Sequence, residues 1–169
     1  MTQGKDELLA CLGRLGIAST THDHPPLFTV EQSQALRGEI PGGHSKNLFL
    51  KDKKGQIWLI VAEEDTAIDL KRLHGVIGSA RLSFGSAALL EEVLGVKPGS
   101  VTPFGLINDA TGRVKVVLDE RLMRHDVVNF HPLTNAATTS IAPADLIRFI
   151  SHCGHAPRVL ALHAPKEIL

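Results

Sequence analysis

The run "NLFLKDKKGQIWLIVA", Asn47 to Ala62, constrains the fold more than any other stretch of the chain. Two strand-like segments, 47–51 and 56–62, flank "DKKG", a composition that reverses a chain between adjacent strands. At least one antiparallel pair is therefore expected, and a sheet of regularly alternating parallel strands and helices is not. A second reversal signal, "DATG", stands between "FGLIN" and "RVKVVLD", and both of these flanks read as strands. Further strand-like stretches are "IASTTHD", stopped by Pro25 and Pro26, then "ARLSF", "DVVNFHPL", "ATTSI" and "RVLAL".

Helical segments alternate irregularly with these. Residues 5–15 place Leu8, Cys11, Leu12 and Leu15 on one face, with Gly16 where a helix-terminating glycine stands. Thr29 and Gln32 form a capping-box pattern for a short helix running to about Leu36. "DTAIDLKRLHG" is helical in pattern, Ser86 caps "AALLEEVLG" and Gly95 ends it. "APADLIRFISHCG" has Pro143 near its start and Gly154 beyond its end. "VKPGSVTP" is irregular, with two prolines and a glycine in eight residues. The expected fold is mixed α/β: one domain over residues 1–169, seven or eight strands in a partly antiparallel sheet or open barrel, surrounded by four or five helices.

Charge and composition narrow the function. Lysine plus arginine balances aspartate plus glutamate at 18 each, which excludes a broad basic face that coats nucleic acid and sets DNA aside as a partner. A grip on the end of a nucleic acid is still compatible, since residues 46–54 hold four lysines against Asp52 alone. No run of eighteen apolar residues suggests a membrane span, and the N-terminal stretch lacks the pattern of a signal peptide. Cys11 and Cys153 form neither a CxxC pair nor a disulfide framework, so a reduced, cytoplasmic protein is expected.

Most catalytic patterns are missing. No G-x-S-x-G, G-x-G-x-x-G or P-loop order occurs. The pairs His22/His24 and His152/His155 lack the third and fourth ligands of a zinc site, so no metal and no cofactor is expected. Three features remain. Lys46 and Asn47 open a strand after the glycine turn "PGGHS". Gly99, Ser100, Val101, Thr102 and Pro103 form a loop whose glycine permits close backbone approach and whose proline stiffens the exit. His131 in "NFHP" shares a strand face with Val127 and Asn129. Each also has a plain structural reading: a solvated lysine, a connecting loop, and a core histidine with one hydrogen bond.

Four segments in order, "HDHPPLFTVEQS", "GGHSKNLFLKDKKGQIWLIVA", "RLSFGSAALLEEVLGVKPGSVTPFGLIND" and "DVVNFHPLTNAATTSI", resemble the free-standing prolyl-tRNA editing proteins. These are similar to the editing domain inserted in bacterial prolyl-tRNA synthetases and to the cysteinyl-tRNA(Pro) deacylases. The resemblance spans about His22 to Phe149 and is nearest to the branch that removes alanine from tRNA(Pro). It implies a metal-independent deacylase acting on the acceptor end of mischarged tRNA(Pro), with prolyl-tRNA synthetase as a possible associate. It implies that Lys46 is the essential lysine, that Asn47 is its polar neighbour, and that Gly99 to Pro103 is the G-x-x-x-P loop. His131 would shape the aminoacyl pocket, and Leu27, Phe28 and Val30 are candidates for its wall. Lys51, Lys53 and Lys54 read equally as stem contacts or as a solvated turn. Cysteinyl-tRNA(Pro) hydrolysis and a non-catalytic module that binds the tRNA end are the alternatives.

Overall fold

The computed structural model describes residues 2–26, 35 and 40–162. Its centre is an eight-stranded mixed sheet. The strands are β1 (Ser19–Asp23), β2 (Gly43–Asp52), β3 (Ile57–Glu63), β4 (Leu82–Phe84), β5 (Val114–Asp119), β6 (Val128–Phe130), β7 (Ala137–Ile141) and β8 (Arg158–Leu160). The order is β1-β7-β6-β2-β3-β5-β8, with β4 added beside β2, and the sheet does not close into a barrel. The α-helices that the described residues cover in full are α1 (Lys5–Arg14), α2 (Leu70–Ile77), α3 (Ala87–Leu94) and α4 (Pro143–His152).

The β2–β3 hairpin forms as its sequence dictates, in register from Ser45 opposite Glu63 to Lys51 opposite Ile57. Asp52 fixes the turn by accepting the N–H groups of Lys54 and Gln56 and the indole N–H of Trp58. Burial raises the pKa of this carboxyl, but those donors outweigh burial and hold it below the ordinary carboxylate value. Residues 57–62 of β3 are all buried, because the sheet carries a core on each face. The larger core gathers Leu8, Cys11 and Leu12 of α1, Val93 and Leu94 of α3, and Phe149 of α4 around Phe49, Leu59 and Val61. Phe104 packs edge-on against Phe130 and Phe149, at 5.8 and 5.5 Å between centroids. On the other face Leu73 and Ile77 of α2 cover Leu50, Trp58, Ile60 and Val117.

Caps act where the sequence puts them. Ser86 Oγ accepts the N–H of Leu89, and Gly95 ends α3 in a left-handed conformation. Three expectations are corrected. "FGLIN" is not a strand but the 3₁₀ helix Pro103–Asn108, started by Pro103 and by Thr102 Oγ1 accepting the N–H of Phe104. "DATG" therefore makes no hairpin, and β5 instead runs parallel to β3 and β8. The glycine turn before Lys46 is shorter than its composition suggests, because β2 already begins at Gly43 in parallel pairing with β6. The helix expected from Thr29 to Leu36 falls largely outside the described residues.

Candidate active site

The two edges of β2 differ. Toward β3 it is paired from Ser45 to Lys51. On its other edge β6 pairs only with Gly43 and His44, and β4 only with Leu50–Asp52. Among the described residues no strand covers residues 45–48 on that side, and the Phe49 carbonyl accepts the N–H of Gly85, just beyond β4. Lys46 and Asn47 stand at this opening.

Strand alternation sends the two side chains to opposite faces. Lys46 lies opposite Ala62 on the face of the smaller core, and Asn47 opposite Val61 on the face of the larger. Lys46 is half-buried and has no hydrogen bond or ion pair with any described residue. Asn47 Nδ2 donates to Ser45 Oγ at 3.2 Å, while its Oδ1 is buried without a partner. A buried acceptor left unpaired costs free energy, so a ligand donor is the natural complement. Ser45 Oγ donates to the carbonyl of Asn129. Asn129 in turn donates to the carbonyls of Pro41 and Gly43, which ties the entry of β2 to β6.

The expected loop approaches on Asn47's side. Val101 packs against the larger core, Ser100 and Thr102 are buried, and Pro103 opens the buried 3₁₀ turn. Gly99 is exposed with φ +93, and a Cβ there would meet nothing within 4 Å. The chain itself thus needs glycine at this position for its backbone conformation. The N–H of Ser100 is taken by the carbonyl of Lys97. The N–H groups of Gly99, Val101 and Thr102 make no bond among the described residues.

His131 follows β6 directly, with Nδ1 3.1 Å from the carbonyl of Ala137. Burial pushes its pKa below the ordinary histidine value and nearby His24 adds to this, with the Ala137 carbonyl opposing. The neutral ring must donate from Nδ1, because a carbonyl only accepts, and this leaves Nε2 as an acceptor. Leu27, Phe28 and Val30 lie outside the described residues.

One pair escaped sequence reasoning. His125 Nε2 is 2.9 Å from Glu63 Oε2 and sits over Gly43, where a Cβ would come within 2.4 Å of the ring. Glu63 shares Ser45's row, so this pair flanks the opening on Asn47's face. A separation of 62 residues leaves no local signal for it. Three further histidines are engaged elsewhere: His24 with Thr138 Oγ1 and the Pro25 carbonyl, His44 with the Ile40 carbonyl, and His155 with Asp109. Among the described residues no three His, Cys, Asp or Glu side chains are placed to hold a metal. Burial, and secondarily Cys11, pushes the Cys153 thiol up to about 12, which removes it as a nucleophile. No described helix is long and apolar enough to cross a membrane.

Comparison with known proteins gives this opening a context. Residues 24–149 match the model of the aminoacyl-tRNA editing domain. The chain is 39% identical over 159 residues to the prolyl-tRNA synthetase associated domain-containing protein 1 of Danio rerio, covering 93% of this chain and 86% of that one. It is 38% identical over 159 residues to the prolyl-tRNA editing protein ProX of Acetoanaerobium sticklandii, covering 94% and 97%. A crystal structure described as a candidate trans-editing enzyme for prolyl-tRNA synthetase superposes with a TM-score of 0.74 at 19% identity, covering 97% of this chain and 99% of that one; at this identity the likeness concerns the fold. The match spans most of the chain and includes Lys46, Asn47, the 99–103 loop and His131, and on that basis the protein belongs to the aminoacyl-tRNA editing domain family.

Proposed function

We propose that the chain hydrolyses the ester of mischarged tRNA(Pro) in trans, with alanine as the amino acid removed. The observation that carries this reading is the uncovered stretch of β2 in a chain of the editing family, where a lysine without a partner among the described residues and an unsatisfied buried carbonyl oxygen are neighbours in sequence, one on each face of the strand. The names of the relatives direct the reading to tRNA(Pro).

An aminoacyl-tRNA is an ester between an amino acid and the terminal ribose. Hydrolysis needs a held substrate, an attacking water and donors for the developing oxyanion. In this reading Lys46 is a point charge for the terminal phosphate or ribose, which orients the ester. Asn47 Oδ1 accepts from the α-ammonium group of the amino acid, a charge-assisted bond of the kind its orphaned state invites. Free N–H groups of the 99–103 loop face the oxyanion, and one such donor is worth about a hundred- to a thousandfold in rate. The neighbouring ribose hydroxyl activates the water, as the family resemblance implies. His131 forms a neutral pocket wall. Alanine and proline are separated by size: a missing methylene gives a synthetase only about 1–3 kcal/mol, whereas a smaller second pocket rejects proline sterically.

The test is single-turnover release of labelled amino acid from tRNA(Pro) charged with alanine, cysteine, serine or proline. Fast release of alanine with proline spared is the expected result. Preferential release of cysteine would transfer the assignment to the cysteinyl branch. No release from any of the four, with tRNA bound, would leave a binding module and end the catalytic reading.

A further inference from the structure

Beyond the opening, the sheet carries an exposed aromatic ring and a concentration of cations that the neutral overall charge conceals. Phe84 of β4 lies opposite Leu50 of β2, yet Leu50 is fully buried and Phe84 is 65% exposed. Because β4 begins where the opening ends, Phe84 stands on its rim. Leu50 is four positions along β2 from Lys46 and on the same face, about 13 Å away at strand rise.

Past Phe84, five cations converge on the hairpin end. Lys51 pairs with Ser83, the N–H of Lys53 bonds the carbonyl of Arg81, and Lys54 forms the turn. Lys115 of β5 lies beside Trp58, with Nζ 5.4 Å above its ring. All five cations are exposed, and none has a carboxylate partner among the described residues. Asp52, the acid at their centre, is buried with its oxygens occupied by Trp58 and by the turn amides. Lys54, Gln56, Ser79 and Lys115 also line an open polar cleft of about 500 Å³.

The order along β2 is therefore an isolated lysine, an exposed aromatic ring, then a cationic end. An aminoacyl-tRNA presents the same order: an ester-bearing nucleotide, unpaired bases, then a helical stem lined with phosphates. We propose that the β4 edge and the hairpin end form the docking surface for the acceptor arm. Phe84 stacks an unpaired base, and Lys51, Lys53, Lys54, Arg81 and Lys115 hold stem phosphates. Aromatic stacking suits this task because every base has a flat face, and lysine–phosphate contacts supply affinity without reading sequence. The assignment rests on the reading that the substrate is an aminoacyl-tRNA.

Two measurements on the whole chain separate this surface from the catalytic reading. In the first, binding of uncharged tRNA(Pro) is titrated at several salt concentrations. Phe84→Ala weakens binding roughly fivefold or more, and Phe84→Tyr restores it. The double variant Lys53→Glu, Lys54→Glu lowers the slope of log affinity against log salt by about one for each phosphate lost. In the second, hydrolysis of alanine esterified to the isolated terminal trinucleotide, which has no stem, is unchanged in the double variant. Unaltered tRNA affinity and salt slope in both the Phe84→Ala and the charge-reversal proteins would overturn the proposal. If the wild-type protein releases nothing from charged tRNA, the catalytic reading falls, and the binding titration still decides the surface by the same criteria.

Discussion

The two edges of β2 serve different ends. Toward β3 each residue from Ser45 to Lys51 has a partner, and the apolar rows Phe49–Leu59 and Leu50–Trp58 are sealed by a core on each face. Toward β6 and β4 no described residue is a strand partner of residues 45–48, and Asn47 Oδ1 is buried there without a partner among the described residues. One strand thus anchors the fold along one side and leaves Lys46 and Asn47 beside an unpaired edge along the other. The unsatisfied oxygen of Asn47 costs free energy, and the fully paired opposite edge stabilises the same strand.

The comparison breaks most visibly if the paired edge is damaged. Leu59 is fully buried, so Leu59→Ala is expected to lower stability by about 2–5 kcal/mol, read from the denaturant midpoint. Its rate of amino acid release, corrected for folded fraction, should match the wild type. A stability loss below about 1 kcal/mol would mean that this edge is not the anchor.

On the open edge the signs reverse. Asn47→Leu removes an unsatisfied buried oxygen and fills a similar volume, so stability should hold or rise by about 1 kcal/mol. Release of alanine should fall about tenfold or more, the worth of a hydrogen bond to a charged group. A variant that is both less stable and fully active would show that the Asn47 side chain belongs to the scaffold.

The smallest effect concerns protons. Burial lowers the pKa of His131 from its ordinary 6.5, so the unfolded chain binds the proton more readily than the folded one. Its contribution to stability is complete above pH 6.5 and declines as the pH falls through that value toward the folded pKa. The melting temperature should accordingly drop less between pH 7.5 and 5.5 in His131→Gln than in the wild type. Parallel curves would remove His131 from the buried, neutral wall of the site.

What could be read in advance followed from local physics. Turn chemistry gave the β2–β3 hairpin, Ser86 and Gly95 bounded α3, and Pro143 opened α4. "FGLIN" misled because its apolar residues suit a buried strand or a buried 3₁₀ turn equally, and Thr102 and Pro103 decide for the turn. The opening itself was hidden. It depends on where β6, 84 residues after Ser45, and β4 each stop pairing with β2, which is a property of long-range register. The Glu63–His125 pair and the joint cationic end made by the hairpin, Arg81 and Lys115 were invisible for the same reason. Lys46, Asn47 and the 99–103 loop stood out by local chemistry, but spacing alone gave them no common mechanism, and the roles expected of them come from the family resemblance.

The central claim is that the uncovered edge of β2 is the catalytic one, and Lys46 tests it most directly. Alanine release from alanyl-tRNA(Pro) would be followed under single-turnover conditions for wild type and Lys46→Ala, alongside thermal melting of both. Lys46 has no partner within the described fold, so melting should be unchanged while release slows about a hundredfold, the loss expected when an ester is no longer held in place. Release within threefold of wild type at equal stability would contradict the account.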